Sequence, residues 1–123
     1  MKELESLAIP IIGFLEKEEF RVSRSEFCTK GLREKGKLDA RTKEKLQTHY
    51  QIWGEKEYNN TNLIVCVNLV ISNPGLEINY GFYSEGKKSF EKDSIILTKP
   101  YGEKIKQTIR KNIQSDLEDY LED

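Results

Sequence analysis

The residues of this chain whose types and spacing suggest chemistry are a glycine-flanked octet, two cysteines, one histidine and a scatter of carboxylates. Gly31-Leu32-Arg33-Glu34-Lys35-Gly36-Lys37-Leu38 has the spacing of a phosphate-binding loop. Such a loop needs a final Ser or Thr, whose hydroxyl holds magnesium, and a strand before it. Leu38 has no hydroxyl, and the residues before Gly31 read as a charged helix. The octet is therefore expected to be a helix end with two glycine stops, and no nucleotide is expected there. Cys28 and His49 are the types that make a nucleophile and its base. No third residue is identifiable to orient them, and a lone histidine lacks the partners of a zinc site. A surface-edge histidine and a half-buried thiol are expected instead. Glu77 and Glu91 are placed to flank a sheet. However, Glu77-Ile78-Asn79 has an asparagine where an acid-x-lysine hydrolase needs its cation. No catalytic, metal-binding or cofactor-binding set is expected, and the chain reads as non-enzymatic.

Charge carries more information. The 123 residues have a net charge of −1, but that balance is uneven. Residues 21–46 sum to +5, residues 115–123 to −5 and residues 1–19 to −3. The acids stand where a helix disfavours them. A helix C-terminus carries partial negative charge and prefers Lys or Arg. Yet the first helical stretch ends Glu16-Lys17-Glu18-Glu19, and the last ends with Asp116, Glu118, Asp119 and Glu122. Either these ends are solvated or matched within the fold, or they form an acidic surface for a basic partner. Complementarity of that kind chiefly raises association rate and specificity.

The elements that would position these groups follow from hydrophobic period. Leu4, Leu7, Ile11, Phe14 and Leu15 recur at helical spacing, with Pro10 among them. A kink, or a helix starting near Ile9, is expected there. Phe20-Arg21-Val22 reads as a short extended link. Ser23-Arg24-Ser25-Glu26 has the form of a capping box, which predicts a short helix to about Glu34. Asp39 would cap a third helix, with Leu46, Tyr50 and Trp53 on one face. Residues 58–61 are polar and turn-like.

The strongest strand signal is 63–71. Leu63, Val65, Val67, Leu69 and Ile71 point one way. Ile64, Cys66, Asn68 and Val70 point the other. A strand apolar on both faces is central and covered on both sides. Asn68 would then need hydrogen-bond partners. Asn73-Pro74-Gly75 supplies a turn, and Leu76, Ile78, Tyr80 and Phe82 alternate with polar neighbours in a half-buried strand. Glu85-Gly86-Lys87 is a second turn, and a further strand is expected over 90–98. A final helix from about Tyr101 carries Ile105, Ile109, Ile113, Leu117 and Leu121 at steps of four, with Tyr120 beside them.

The expected architecture is one α+β domain over 1–123: N-terminal helices, a three-stranded antiparallel meander, and a long C-terminal helix packed on the sheet. Acids in the first twenty residues do not fit a targeting peptide, and the longest apolar run is far too short to span a membrane. Two cysteines that form no disulfide framework fit a reducing bacterial cytoplasm. Asn59-Asn60-Thr61 matches a glycosylation sequon and is read as chance. The expected function is a small binding protein, an inhibitor, immunity or regulatory partner, acting as a monomer or homodimer. Asp116, Glu118, Asp119, Tyr120 and Glu122 are its contact candidates. The alternative is a nucleic-acid-binding regulator with the element order of a winged helix, using Arg33, Lys35, Lys37, Arg41 and Lys43. The hairpin tip has no basic residue for phosphate, which counts against it.

Overall fold

The computed structural model describes residues 2–25, 49–71, 75–98 and 102–122. The chain forms α1 (Lys2–Lys17), β1 (Arg21–Ser25), β2 (His49–Tyr58), β3 (Thr61–Ile71), β4 (Gly75–Ser84), β5 (Phe90–Thr98) and α2 (Glu103–Glu122). All strands belong to one antiparallel sheet in the order β1-β2-β3-β4-β5. The fold is α+β as expected, but among the described residues the sheet has five strands rather than three.

The two additional strands come from stretches read differently in the sequence. Residues 21–25 are not a link and a helix cap but strand β1, where Ser23 pairs with Trp53 and Ser25 with Gln51. Residues 49–54 are not the end of a third helix. They open β2, where Tyr50 is 5% exposed and Trp53 is 43% exposed on the opposite face. The helices expected between Glu26 and Leu46 lie outside the described residues.

β2 and β3 form a hairpin through Asn59 and Asn60, which have φ of 50° and 64°. Two successive positive φ values make a turn whose twist matches the flanking strands, and asparagine tolerates that conformation better than most residues. The Thr61 hydroxyl closes it by donating to the Tyr58 carbonyl at 2.9 Å. β3 and β4 form the next hairpin, with Ile71 opposite Leu76, so the chain reverses where expected. Residues 72–74 of that turn lie outside the described residues. At the third turn, Gly86 takes φ of 78°.

β3 is the central strand, as its two apolar faces implied, but it is not covered on both sides by the described helices, which pack on one face only. Leu63, Val65, Val67 and Leu69 are fully buried and meet Ile52 of β2 and Leu76, Ile78 and Phe82 of β4. α1 and α2 pack on this same face. α1 brings Leu7, Ala8, Ile11, Phe14 and Leu15, and α2 brings Ile109, Ile113, Leu117 and Tyr120. The α2 stripe is the one its periodicity implied, with Ile105 and Leu121 packed at its margins. The helices touch each other, and the Lys106 ammonium donates to the Ser6 hydroxyl at 2.6 Å.

α1 begins at Lys2 and runs through Pro10, so it does not start near Ile9. A mid-helix proline costs about 3 kcal/mol through its missing donor and ring clash. Burial of Leu7, Ala8, Ile11 and Ile12 around it offsets that cost, since a fully buried aliphatic side chain contributes about 1.5–3 kcal/mol. The helix ends in a two-bond motif. Phe20 N–H donates to the Leu15 carbonyl and Glu19 N–H to the Glu16 carbonyl, both at 3.0 Å. Glu19 takes the left-handed conformation this closure requires, at φ 69°. Leu15 and Phe20 then pack over Gly54, where an added Cβ would lie 3.4 and 3.3 Å from their side chains.

Candidate functional site

The acids at the end of α2 were the first contact candidates, and the structure divides them. Tyr80 donates its phenolic hydrogen to the Asp116 carboxylate, and the Lys92 ammonium lies 3.8 Å away. Burial, followed by the Asp116 carboxylate, pushes the Tyr80 phenol well above its ordinary range. Asp116 thus ties α2 to β4 and β5. Tyr120 is 6% exposed, its ring centroid 5.7 Å from Phe82 and its hydroxyl 3.1 Å from that of Ser84. Glu118, Asp119 and Glu122 are exposed. Glu118 accepts a hydrogen bond from Gln114 at 3.3 Å, while Asp119 and Glu122 pair with no other described residue.

Both acidic helix ends are served by lysines from the sheet. Lys56 of β2 donates to the Glu18 carbonyl at 2.7 Å, and its ammonium stands 4.5 Å over the Phe20 ring. Lys87, in the turn between β4 and β5, donates to the Tyr120 carbonyl and stands 4.3 Å over the Tyr120 ring. Each helix end therefore receives a cation from outside the helix, α1 in addition to Lys17 of its own last turn. Neither lysine stands out in the sequence, because each is remote along the chain from the helix end it reaches. A lysine at an inward position of a strand, as at Lys56, is the signal that points to such a role.

Beside Lys87 the C-terminal turns of α2 and the turn into β5 enclose a cleft of about 560 Å³. Phe90 and Tyr120 give it aromatic walls, Asp116 and Asp119 line one side, and Lys87 and Lys88 the other. Phe90 stacks on Phe82 with ring centroids 5.2 Å apart, so this wall is anchored in the core.

The opposite face of the sheet carries a row of amides. Gln51 Nε2 donates to Asn68 Oδ1 at 3.0 Å, and Asn68 Nδ2 donates to Asn79 Oδ1 at 2.9 Å. Asn68 thus has the partners its position demanded. The register was available in the sequence, since counting back equally from the Asn73-Pro74 turn sets Asn68 opposite Asn79. Next to the row, Cys66, Asn79, Tyr83 and Glu91 line a hollow of about 290 Å³. The Tyr83 hydroxyl lies over Gly81, where an added Cβ would come within 2.6 Å of it. Burial, followed by the nearby Glu91 and Cys66, pushes the Tyr83 phenol up.

Among the described residues no cluster of three or more His, Cys, Asp or Glu side chains is placed to hold a metal ion. No helix among them is long and apolar enough to cross a membrane. His49 stands at the start of β2 opposite Val70. Cys28 and the basic candidates Arg33, Lys35, Lys37, Arg41 and Lys43 lie outside the described residues. His49 to Tyr58 is strand, so a recognition helix extending to Trp53 does not exist. Compared with family models, with curated protein sequences and with solved structures, the chain matches none of them.

Proposed function

We propose that this protein is a small non-enzymatic binding protein of the cytoplasm that engages a basic protein partner through the C-terminal end of α2. It would serve as an inhibitor, immunity or regulatory partner. The observation carrying this reading is the treatment of that helix end. Its carbonyl receives a cation from Lys87, yet Asp119 and Glu122 stand exposed without a cationic partner among the described residues. Carboxylates at a helix C-terminus oppose its dipole and cost a few tenths of a kcal/mol each. A surface that keeps them exposed is suited to steering a basic surface into contact.

The test combines affinity capture with kinetics. A partner retained on the wild-type chain is recovered, and its association rate is compared with a Glu118→Lys/Asp119→Lys/Glu122→Lys variant at low and physiological salt. The triple variant is expected to associate about ten times more slowly or worse in low salt, with the gap narrowing as salt rises. An unchanged rate overturns the assignment. Steeply salt-dependent binding of DNA or RNA by both proteins would transfer the function to the basic segment instead.

A further inference from the structure

We infer that the cleft between the β4–β5 turn and the last turns of α2 is an arginine-binding pocket for a side chain of the partner. This rests on the proposed function and specifies its anchor.

Three features favour a guanidinium. The first is size: about 560 Å³ is in the range of pockets that take a ligand group. The second is the wall chemistry. Phe90 is half-buried and held by its stack on Phe82, so it presents a fixed aromatic surface. Guanidinium is planar and weakly hydrated, and it stacks on such surfaces more readily than ammonium does. The third is the distribution of charge around the cleft. Lys92 and the Tyr80 hydroxyl are committed to Asp116, and Lys87 to the Tyr120 carbonyl. Asp119 is the carboxylate at the cleft that no described residue engages, and it can accept a two-pronged guanidinium. Glu118 and Glu122 on the same helix end add to the local negative potential. Lys88 on the opposing lip works against a cation. Its contribution therefore has a fixed sign that an experiment can read.

The probe is N-acetyl-arginine amide, with the isosteric and uncharged N-acetyl-citrulline amide as control. Both are titrated into the full chain and followed by backbone amide chemical shifts. The arginine amide is expected to move resonances of residues 86–90 and 116–120 in a saturable way, at millimolar concentration. The citrulline amide is expected to move them at least several-fold less. Asp119→Asn should weaken arginine binding about three-fold or more, and Lys88→Ala should strengthen it. Asp119 and Lys88 are both exposed, so neither substitution endangers the fold.

Equal response to both probes overturns the pocket, as does response spread over the whole acidic surface. Reversed signs for Asp119→Asn and Lys88→Ala overturn it in favour of an anionic guest. If the arginine probe fails while the triple charge reversal still slows the partner, the pocket falls and the acidic docking surface stands.

Discussion

At the scale of single residues, charged side chains perform structural tasks that their sequence neighbours do not reveal. Glu19 occupies a left-handed backbone conformation that glycine adopts without steric cost. Glu19→Gly is expected to raise stability by about 0.5–1 kcal/mol, less any gain in unfolded-chain entropy, as read from urea unfolding midpoints. A loss would mean that the Glu19 side chain contributes more than its conformation costs. Lys87 is the reverse case. Lys87→Met keeps the stem but removes the ammonium from both the Tyr120 carbonyl and the Tyr120 ring. The expected cost is about 1–2 kcal/mol, which would be smaller if solvent replaced the cap. Tyr80 links stability to pH. Its folded proton affinity is raised above the ordinary value of 10.0, so the folded state holds the proton more tightly than the unfolded state. The stabilisation is complete below that ordinary value and declines as pH rises through it toward the folded value. Tyr80→Phe should therefore flatten the alkaline fall in stability that sets in above about pH 10, measured against wild type. Identical alkaline limbs would remove Tyr80 from the account.

At the scale of elements, legibility followed from how many side chains kept their period. β4 and α2 were legible because alternation in the strand and steps of four in the helix survive along almost their full length, β3 because it is a nearly unbroken apolar run, and β5 from Phe90, Ile95 and Leu97, although its parity switches at an irregularity in the pairing with β4. β2 was not, although Tyr50, Ile52 and Tyr58 do alternate inward. Two of its inward positions are Gly54 and Lys56, which break the apolar pattern. The structure explains both: Gly54 lies under Leu15 and Phe20, and Lys56 reaches the end of α1. With those two positions discounted, Leu46, Tyr50 and Trp53 mimic a helix face. β1 was obscured by serines that also fit a capping box. The site was legible only in outline. The acidic positions stood out, but that Asp116 and Tyr120 are engaged inward depends on how α2 meets β4, which no local pattern encodes. A further property of the elements is the close approach of β4 to β5 at Gly75. A Cβ there would collide with the Leu97 carbonyl, which is backbone and cannot swing aside. Gly75→Ala should destabilise the fold by about 2–4 kcal/mol, whereas Gly13→Ala, in open space on α1, should be neutral or stabilising by up to about 1 kcal/mol. Similar unfolding midpoints for the two variants would contradict the packing of β5 on β4.

At the scale of the whole molecule, both described helices lie on one face of the sheet and their C-terminal ends are bonded to it by Lys56 and Lys87. The acidic end of α2 is thereby fixed relative to the turn into β5. A surface held in this way loses little conformational freedom when a partner binds, which favours affinity without new contacts. The charge reversal and the arginine titration address this scale, since each asks whether the far end of the molecule acts as one rigid surface.

The row of amides across β2, β3 and β4 has a consequence for how the sheet is assembled. Greasy residues occupy most of both sides of β3, so burial alone scarcely tells a correct alignment from one slipped by a single residue. The misaligned hairpin would still be hydrophobic, but Asn68 would face away from Gln51 and Asn79 and lose both bonds. Two hydrogen bonds of modest strength thus act as a key that only one alignment fits. Their value lies less in the depth of the native state than in the poverty of its rivals.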